Sequence, residues 1–159
     1  MKDIIMMIVI LVLSYLLGSV PFGYILGKIK GIDIRTKGSG NIGSTNATRQ
    51  LGLGLGAITA LLDIFKGAFF ILFVYLLEQL GLFTNPIVFY GQKIYIIYGF
   101  MAVLGHDFTL YLGFHGGKGV ATSLGVLLAI NPLMALIAVL CFILVVVLTR
   151  YVSLSSTAG

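Results

Sequence analysis

Long apolar runs alternate along the chain with two polar, glycine-rich inserts. Ile4 to Ile29 is nearly continuously apolar and long enough to cross a bilayer core of about 30 Å. Pro21, with Gly18, Gly23 and Gly27, breaks the second half of that run. Leu51 to Leu82 is a second run, interrupted by Asp63 and Lys66. Because Gly67 to Phe83 alone meets the minimum of roughly 17 residues for a span, the two charges are expected near the inner interface. Three apart on a helix, they share a face and can pair, either as a helix-start ion pair or as part of a site lining. Glu78 to Lys93, with Asn85-Pro86, reads as an outer loop, and Ile94 to Leu104 begins a third span. Val120 to Ile130 crosses only if its helix starts near Gly116. Asn131-Pro132 marks a turn before a last run, Leu133 to Leu148. The pattern predicts an all-α, polytopic membrane helix bundle of about five apolar segments, forming one membrane-embedded unit over residues 1–159.

Composition agrees with this pattern. The 159 residues are 59% hydrophobic and 9% charged, against about 25% charged in a soluble domain. The mean hydropathy is +1.12. The 21 glycines suit helices that approach closely in lipid. Cys141, the single cysteine, excludes an intrachain disulfide and reads as a small buried hydrophobe. The net charge of +5 comes mostly from short loops, which suits anionic ligands and headgroups and not nucleic acid. Lys28, Lys30, Arg35, Lys37 and Arg49 stand against Asp33 alone, so the loop after the first run is assigned to the cytoplasmic side.

The first insert, Gly38 to Arg49, offers turn-forming glycines, the hydroxyls of Ser39, Thr45 and Thr48, the amides of Asn41 and Asn46, and the planar fork of Arg49. With Gly40, these groups read as a cradle for an anion. Gly116-Gly117-Lys118-Gly119-Val120-Ala121-Thr122 reads as its counterpart. If a helix begins at Gly116 and Gly117, its free N–H groups, the Lys118 ammonium and the Thr122 hydroxyl face the same anion. Both inserts fall on one membrane face.

Other sites are excluded or weak. Gly38, Gly40 and Gly43 fit G-x-G-x-x-G, but a span and not a strand precedes them. Lys118 is no Walker lysine, since Gly119 follows it and Leu112 stands where the first glycine belongs. Zinc spacings and the G-x-S-x-G elbow are missing, and no metal or cofactor is expected. His106 and Asp107 are adjacent and do not face each other on a helix. His106 reads as a loop or cap residue or as a substrate contact, and His115 as an exposed loop residue.

Several of these stretches carry a family resemblance. Tyr15-Leu16-Leu17-Gly18-Ser19, Gly31-Ile32-Asp33-Ile34-Arg35, the insert through Gly52, Leu62 to Gly67, Gly105-His106 and Gly116 to Thr122 occur in one order. Together they resemble the bacterial glycerol-3-phosphate acyltransferases that use acyl phosphate, the PlsY type. The resemblance implies acyl transfer from acyl phosphate to the 1-hydroxyl of glycerol 3-phosphate at the cytoplasmic membrane, with the site facing the cytoplasm. It implies that Ser39, Thr45, Asn46, Arg49 and Lys118 meet the substrates' phosphates. The family lacks the His-x4-Asp box of other glycerolipid acyltransferases, and so does this chain: Tyr111 lies five after His106, and Val120 five after His115. An acyl phosphate is a mixed anhydride with a good leaving group, so positioning and charge stabilisation carry much of the chemistry. Asp63, His106 or a substrate phosphate is left to take the proton. Thr109 stands where the family commonly has proline, which is expected to change only loop shape. Family members also continue beyond the Tyr-Val-Ser-Leu region into a polar motif with His and Asn, so the 159-residue chain is expected to be an incomplete enzyme. The competing reading is a transporter or channel for a phosphorylated anion, which glycine-broken helices and a basic vestibule also fit. A non-catalytic lipid-binding subunit is a third.

Overall fold

The structure is a computed structural model, and it describes residues 1–149; the Tyr-Val-Ser-Leu region, Tyr151 to Leu154, lies outside the described residues. The helices are α1 (Lys2–Ser19), α2 (Phe22–Ile29), α3 (Ser44–Leu51), α4 (Leu53–Gln79), α5 (Ile96–Asp107), α6 (Val120–Ile130) and α7 (Pro132–Thr149). Single 3-10 turns lie at Ile34–Thr36 and Leu110–Leu112. A hairpin of β1 (Val88–Phe89) and β2 (Gln92–Lys93), which the apolar pattern does not reveal, sits between α4 and α5.

Pro21 divides the first apolar run because it lacks an N–H and forces Val20 into extended backbone, at φ −62° and ψ 115°. The carbonyls freed by the break are taken up by distant side chains. Thr109 Oγ1 donates to the Ser19 carbonyl, and Lys66 Nζ donates to the Val20 carbonyl at 3.0 Å. Thr109 therefore does more than reshape its loop: it ties the end of α5 to the end of α1.

Among the described residues three helices, α1, α4 and α7, are long and apolar enough to cross a membrane. The third and fourth apolar stretches are also helices, but short ones, and the condition that the fourth begin near Gly116 is not met. At about 1.5 Å per residue, α5 and α6 reach about 18 and 16 Å, well short of a core of about 30 Å. The α6 helix starts at Val120, after Gly119 in the left-handed region at φ 65°, and not at Gly116.

The central helix is α4, which packs against α1, α2, α3, α5 and α6. Two crossings bring backbones together. A Cβ on Gly18 would lie 2.2 Å from the Ala102 carbonyl oxygen, and one on Gly105 2.2 Å from that of Tyr15, so α1 and α5 touch through glycine. A Cβ on Gly67 would lie 2.0 Å from the Thr122 carbonyl oxygen, and one on Gly125 1.9 Å from that of Ile64, which does the same for α4 and α6. Small residues at such crossings replace the hydrophobic drive that lipid cannot supply. The apolar core toward the hairpin end gathers Ile10, Phe70, Ile71, Val74, Leu77, Phe83, Tyr98 and Val126. There Glu78 accepts from Lys93 Nζ at 2.8 Å, from the Asn85 N–H at 2.7 Å and from the Tyr95 hydroxyl, which closes the loop. Cys141 is exposed on α7, contrary to its reading as a buried residue; α7 buries Ala135 where it meets α6.

Candidate functional site

Gly56, Thr59, Asp63 and Lys66 are spaced by three or four residues, so they share one face of α4, and all four are buried. The first insert is seated at one end of this face, and the second reaches the other end through His106 of α5. The ten steps along α4 from Gly56 to Lys66 span about 15 Å of helix.

The first insert docks at the Gly56 end, where α3 meets α4: a Cβ on Gly56 would fall 1.9 Å from Thr48 Oγ1. Asn46, 1% exposed, holds the insert's shape. Its Nδ2 donates to the carbonyls of Ile34 (2.9 Å), Asn41 (2.9 Å) and Lys37 (3.2 Å), and its Oδ1 accepts from the Ser39 N–H at 3.3 Å. The Asn41 carboxamide oxygen accepts from the Gly43 N–H at 2.8 Å. Gly40 turns the chain in the left-handed region, at φ 71°. Both amides are thus committed to the backbone of their own loop. Ser39, Thr45 and Arg49 are exposed instead, and Thr45 and Arg49, four apart, share the outer face of α3. Arg35 is spent locally. Its guanidinium grips Asp33 with two bonds, at 3.0 and 2.8 Å, and lies over the Tyr24 ring. That grip, joined by Lys28 at 3.3 Å, holds the Asp33 carboxyl well below the ordinary carboxylate range.

At the other end of the face lies a buried polar cluster. Lys66 is 0% exposed, and its Nζ sits 2.9 Å from Asp63 Oδ1, 2.9 Å from His106 Nδ1 and 3.0 Å from the Val20 carbonyl oxygen. The spacing argument for an Asp63–Lys66 pair holds, but α4 begins ten residues before Asp63, so the pair is not at a helix start. His106 is likewise no loop residue; it is buried in the last turn of α5. An ammonium donates and does not accept, so the His106 proton is assigned to Nε2.

The second insert rests on His106. The Gly117 N–H donates to the His106 carbonyl at 2.9 Å. A Cβ on Gly116 would lie 2.0 Å from that carbonyl oxygen, and one on Gly117 1.9 Å from the ring's Nε2. Gly117 is therefore not a free donor at a helix start, as the sequence led us to expect. Lys118 is exposed beside this contact. Thr122 is fully buried at the α4–α6 crossing and its hydroxyl has no partner among the described residues, so it is not presented with Lys118. His115 is exposed, as expected. Sequence reasoning missed the Lys66–His106 contact, 40 residues apart in the chain; the polar residues set within apolar runs were the one signal for it.

Fold and site together describe a helix bundle with membrane-spanning character and two glycine-rich inserts. The glycerol-3-phosphate acyltransferase family model matches residues 8–159. The Clostridioides difficile (strain 630) glycerol-3-phosphate acyltransferase is 46% identical over 158 residues, covering 96% of this chain and 72% of the relative. That of Acholeplasma laidlawii is 45% identical, covering 99% of this chain and 67% of the relative. The crystal structure of PlsY (YgiH), an integral membrane glycerol 3-phosphate acyltransferase, in its glycerol 3-phosphate form superposes with a TM-score of 0.80. It is 38% identical and covers 94% of this chain and 70% of that one. Its lysophosphatidic acid form gives 0.78. The chain belongs to the glycerol-3-phosphate acyltransferase family.

Proposed function

We propose that this protein transfers a fatty acyl group from acyl phosphate to the 1-hydroxyl of glycerol 3-phosphate. The hydroxyl oxygen bonds to the acyl carbon, the acyl–phosphate C–O bond breaks, and 1-acylglycerol 3-phosphate and phosphate leave. The observation that carries this reading is a pair of exposed cations, Arg49 and Lys118. They sit on two inserts of one α4 face and have no acidic partner among the described residues. Both substrates are phosphate anions, and charge-assisted bonds to phosphate are the strong ones. Ser39, Gly40, Asn41, Thr45, Asn46, Gly116 and Gly117 complete the proposed cradle: Ser39 and Thr45 by exposed hydroxyls, the others by holding the backbone that presents them. Asp63 is ion-paired and the His106 Nδ1 lone pair faces the same ammonium, both under cover. This favours a substrate phosphate oxygen as the acceptor of the hydroxyl proton.

The donor is tested by giving purified protein equal concentrations of an acyl phosphate and an acyl thioester of the same chain length, with labelled glycerol 3-phosphate. Acylated label is expected from the acyl phosphate. Equal or faster product from the thioester would overturn the donor assignment.

The site is proposed to face the cytoplasm of a bacterial membrane, since Lys28, Lys30, Arg35, Lys37 and Arg49 stand against Asp33 alone in the stretch that leads through the first insert. Thr36 and Thr84 are both exposed, on the first insert side and the hairpin side. In a Cys141→Ala background, Thr36→Cys and Thr84→Cys should react with an impermeant thiol reagent from opposite sides of intact cells. Labelling of both from one side would sink the arrangement.

A further inference from the structure

We propose that the buried cluster of Asp63, Lys66 and His106 is a positioning device for Lys118. The inference rests on the reading of Lys118 as a phosphate-binding residue and deepens it.

Burying an ammonium within membrane helices is costly, and an apolar side chain of similar volume is often no less stable. The cluster's geometry gives it a different use. The Lys66 ammonium has a partner at 2.9 to 3.0 Å on each of three elements: it is ion-paired with Asp63 of α4, donates to the Val20 carbonyl at the break between α1 and α2, and donates to His106 Nδ1 of α5. The ammonium therefore fixes the His106 ring against rotation, relative to three separate elements. The second insert is moulded to that ring. Gly117 has no room for a methyl group beside Nε2, Gly116 has none beside the His106 carbonyl, and the Gly117 N–H bonds that carbonyl at 2.9 Å. On the other side of Lys118, Gly119 is in the left-handed region, and a Cβ there would lie 2.9 Å from Asp107 Oδ1. The Lys118 backbone is thus bracketed by contacts to residues 106 and 107. A displacement of the ring passes directly to the base of the Lys118 side chain, and misplacing a substrate-positioning group by about 1 Å can cost about 100-fold in rate.

A cluster that only welds α4 to α5 would affect melting temperature and nothing else. A positioning cluster makes its variants share the kinetic signature of Lys118→Ala. The experiment measures kcat, both substrate KM values and melting temperature for the full chain in detergent, well below melting. Lys66→Met is expected to raise the same KM that Lys118→Ala raises, by about tenfold or more, with kcat changed less than about threefold. Added to Lys118→Ala, Lys66→Met should cost less than about a further twofold, because Lys66 acts through Lys118. Independently, Gly117→Ala should raise that KM about tenfold, and the Gly117→Ala/His106→Ala pair should return it to within about threefold of His106→Ala alone, since the new methyl enters the space the ring vacates. If Lys66→Met does not fold, the Gly117 and His106 pair decides. Additive effects of Lys66→Met and Lys118→Ala, or equal harm from Gly117→Ala with and without the ring, would overturn the inference while leaving the Lys118 reading intact. Normal kinetics in Lys118→Ala would overturn both.

Discussion

Lys118→Ala is expected to lower kcat/KM by roughly 10- to 150-fold. Hydrogen bonds to charged groups are worth about 1.5–3 kcal/mol, and each 1.36 kcal/mol of transition-state stabilisation is about tenfold in rate. Lys118 is exposed, so its loss leaves no buried cavity and the protein should fold and melt as before. Lys118→Arg should recover only part of the loss. Its guanidinium is a planar fork on a longer stem, and the backbone beneath it is clamped against His106. The check is steady-state kinetics with both substrates varied. Values for Lys118→Ala within twofold of the parent would refute the cradle.

Asp63→Ala is expected to act on stability first, by about 3–5 kcal/mol, because it leaves a buried ammonium without its counter-charge. Lys66 is fully buried, and its remaining acceptors, the Val20 carbonyl and His106 Nδ1, are neutral groups. The double variant Asp63→Ala/Lys66→Met should regain most of that loss, since it removes the unpaired charge and restores apolar volume. Equilibrium unfolding or thermal melting in one detergent checks this. A loss under about 1 kcal/mol in Asp63→Ala would show that water or another group already compensates the charge.

The parts legible from the sequence were those set by local periodicity. Apolar runs became helices, and Asp63 and Lys66, three apart, met on one helix face. Pro21 broke the first run where a missing N–H must break it. What escaped was decided by contacts distant in sequence. Nothing near His106 says that its ring meets Lys66, and nothing near Thr109 says that its hydroxyl reaches Ser19. The start of α6 escaped for another reason. Gly116, Gly117 and Gly119 are alike as residues, and only packing against His106 and Asp107 makes the last of them the turn that opens the helix. Asn46 shows the same limit. A polar amide in a polar loop reads as a ligand contact, whereas burial turned it inward to hold the carbonyls of Ile34, Lys37 and Asn41.

The central claim, acyl transfer at a site built on one face of α4, is tested most directly without a membrane compartment. Detergent-purified protein is given acyl phosphate and glycerol 3-phosphate, and phosphate release is measured together with acylated product. The account predicts the two in equal amounts, formed only when both substrates are present. No product in detergent, with uptake or exchange of labelled glycerol 3-phosphate once the same protein is placed in sealed vesicles, would contradict it and make the chain a transporter.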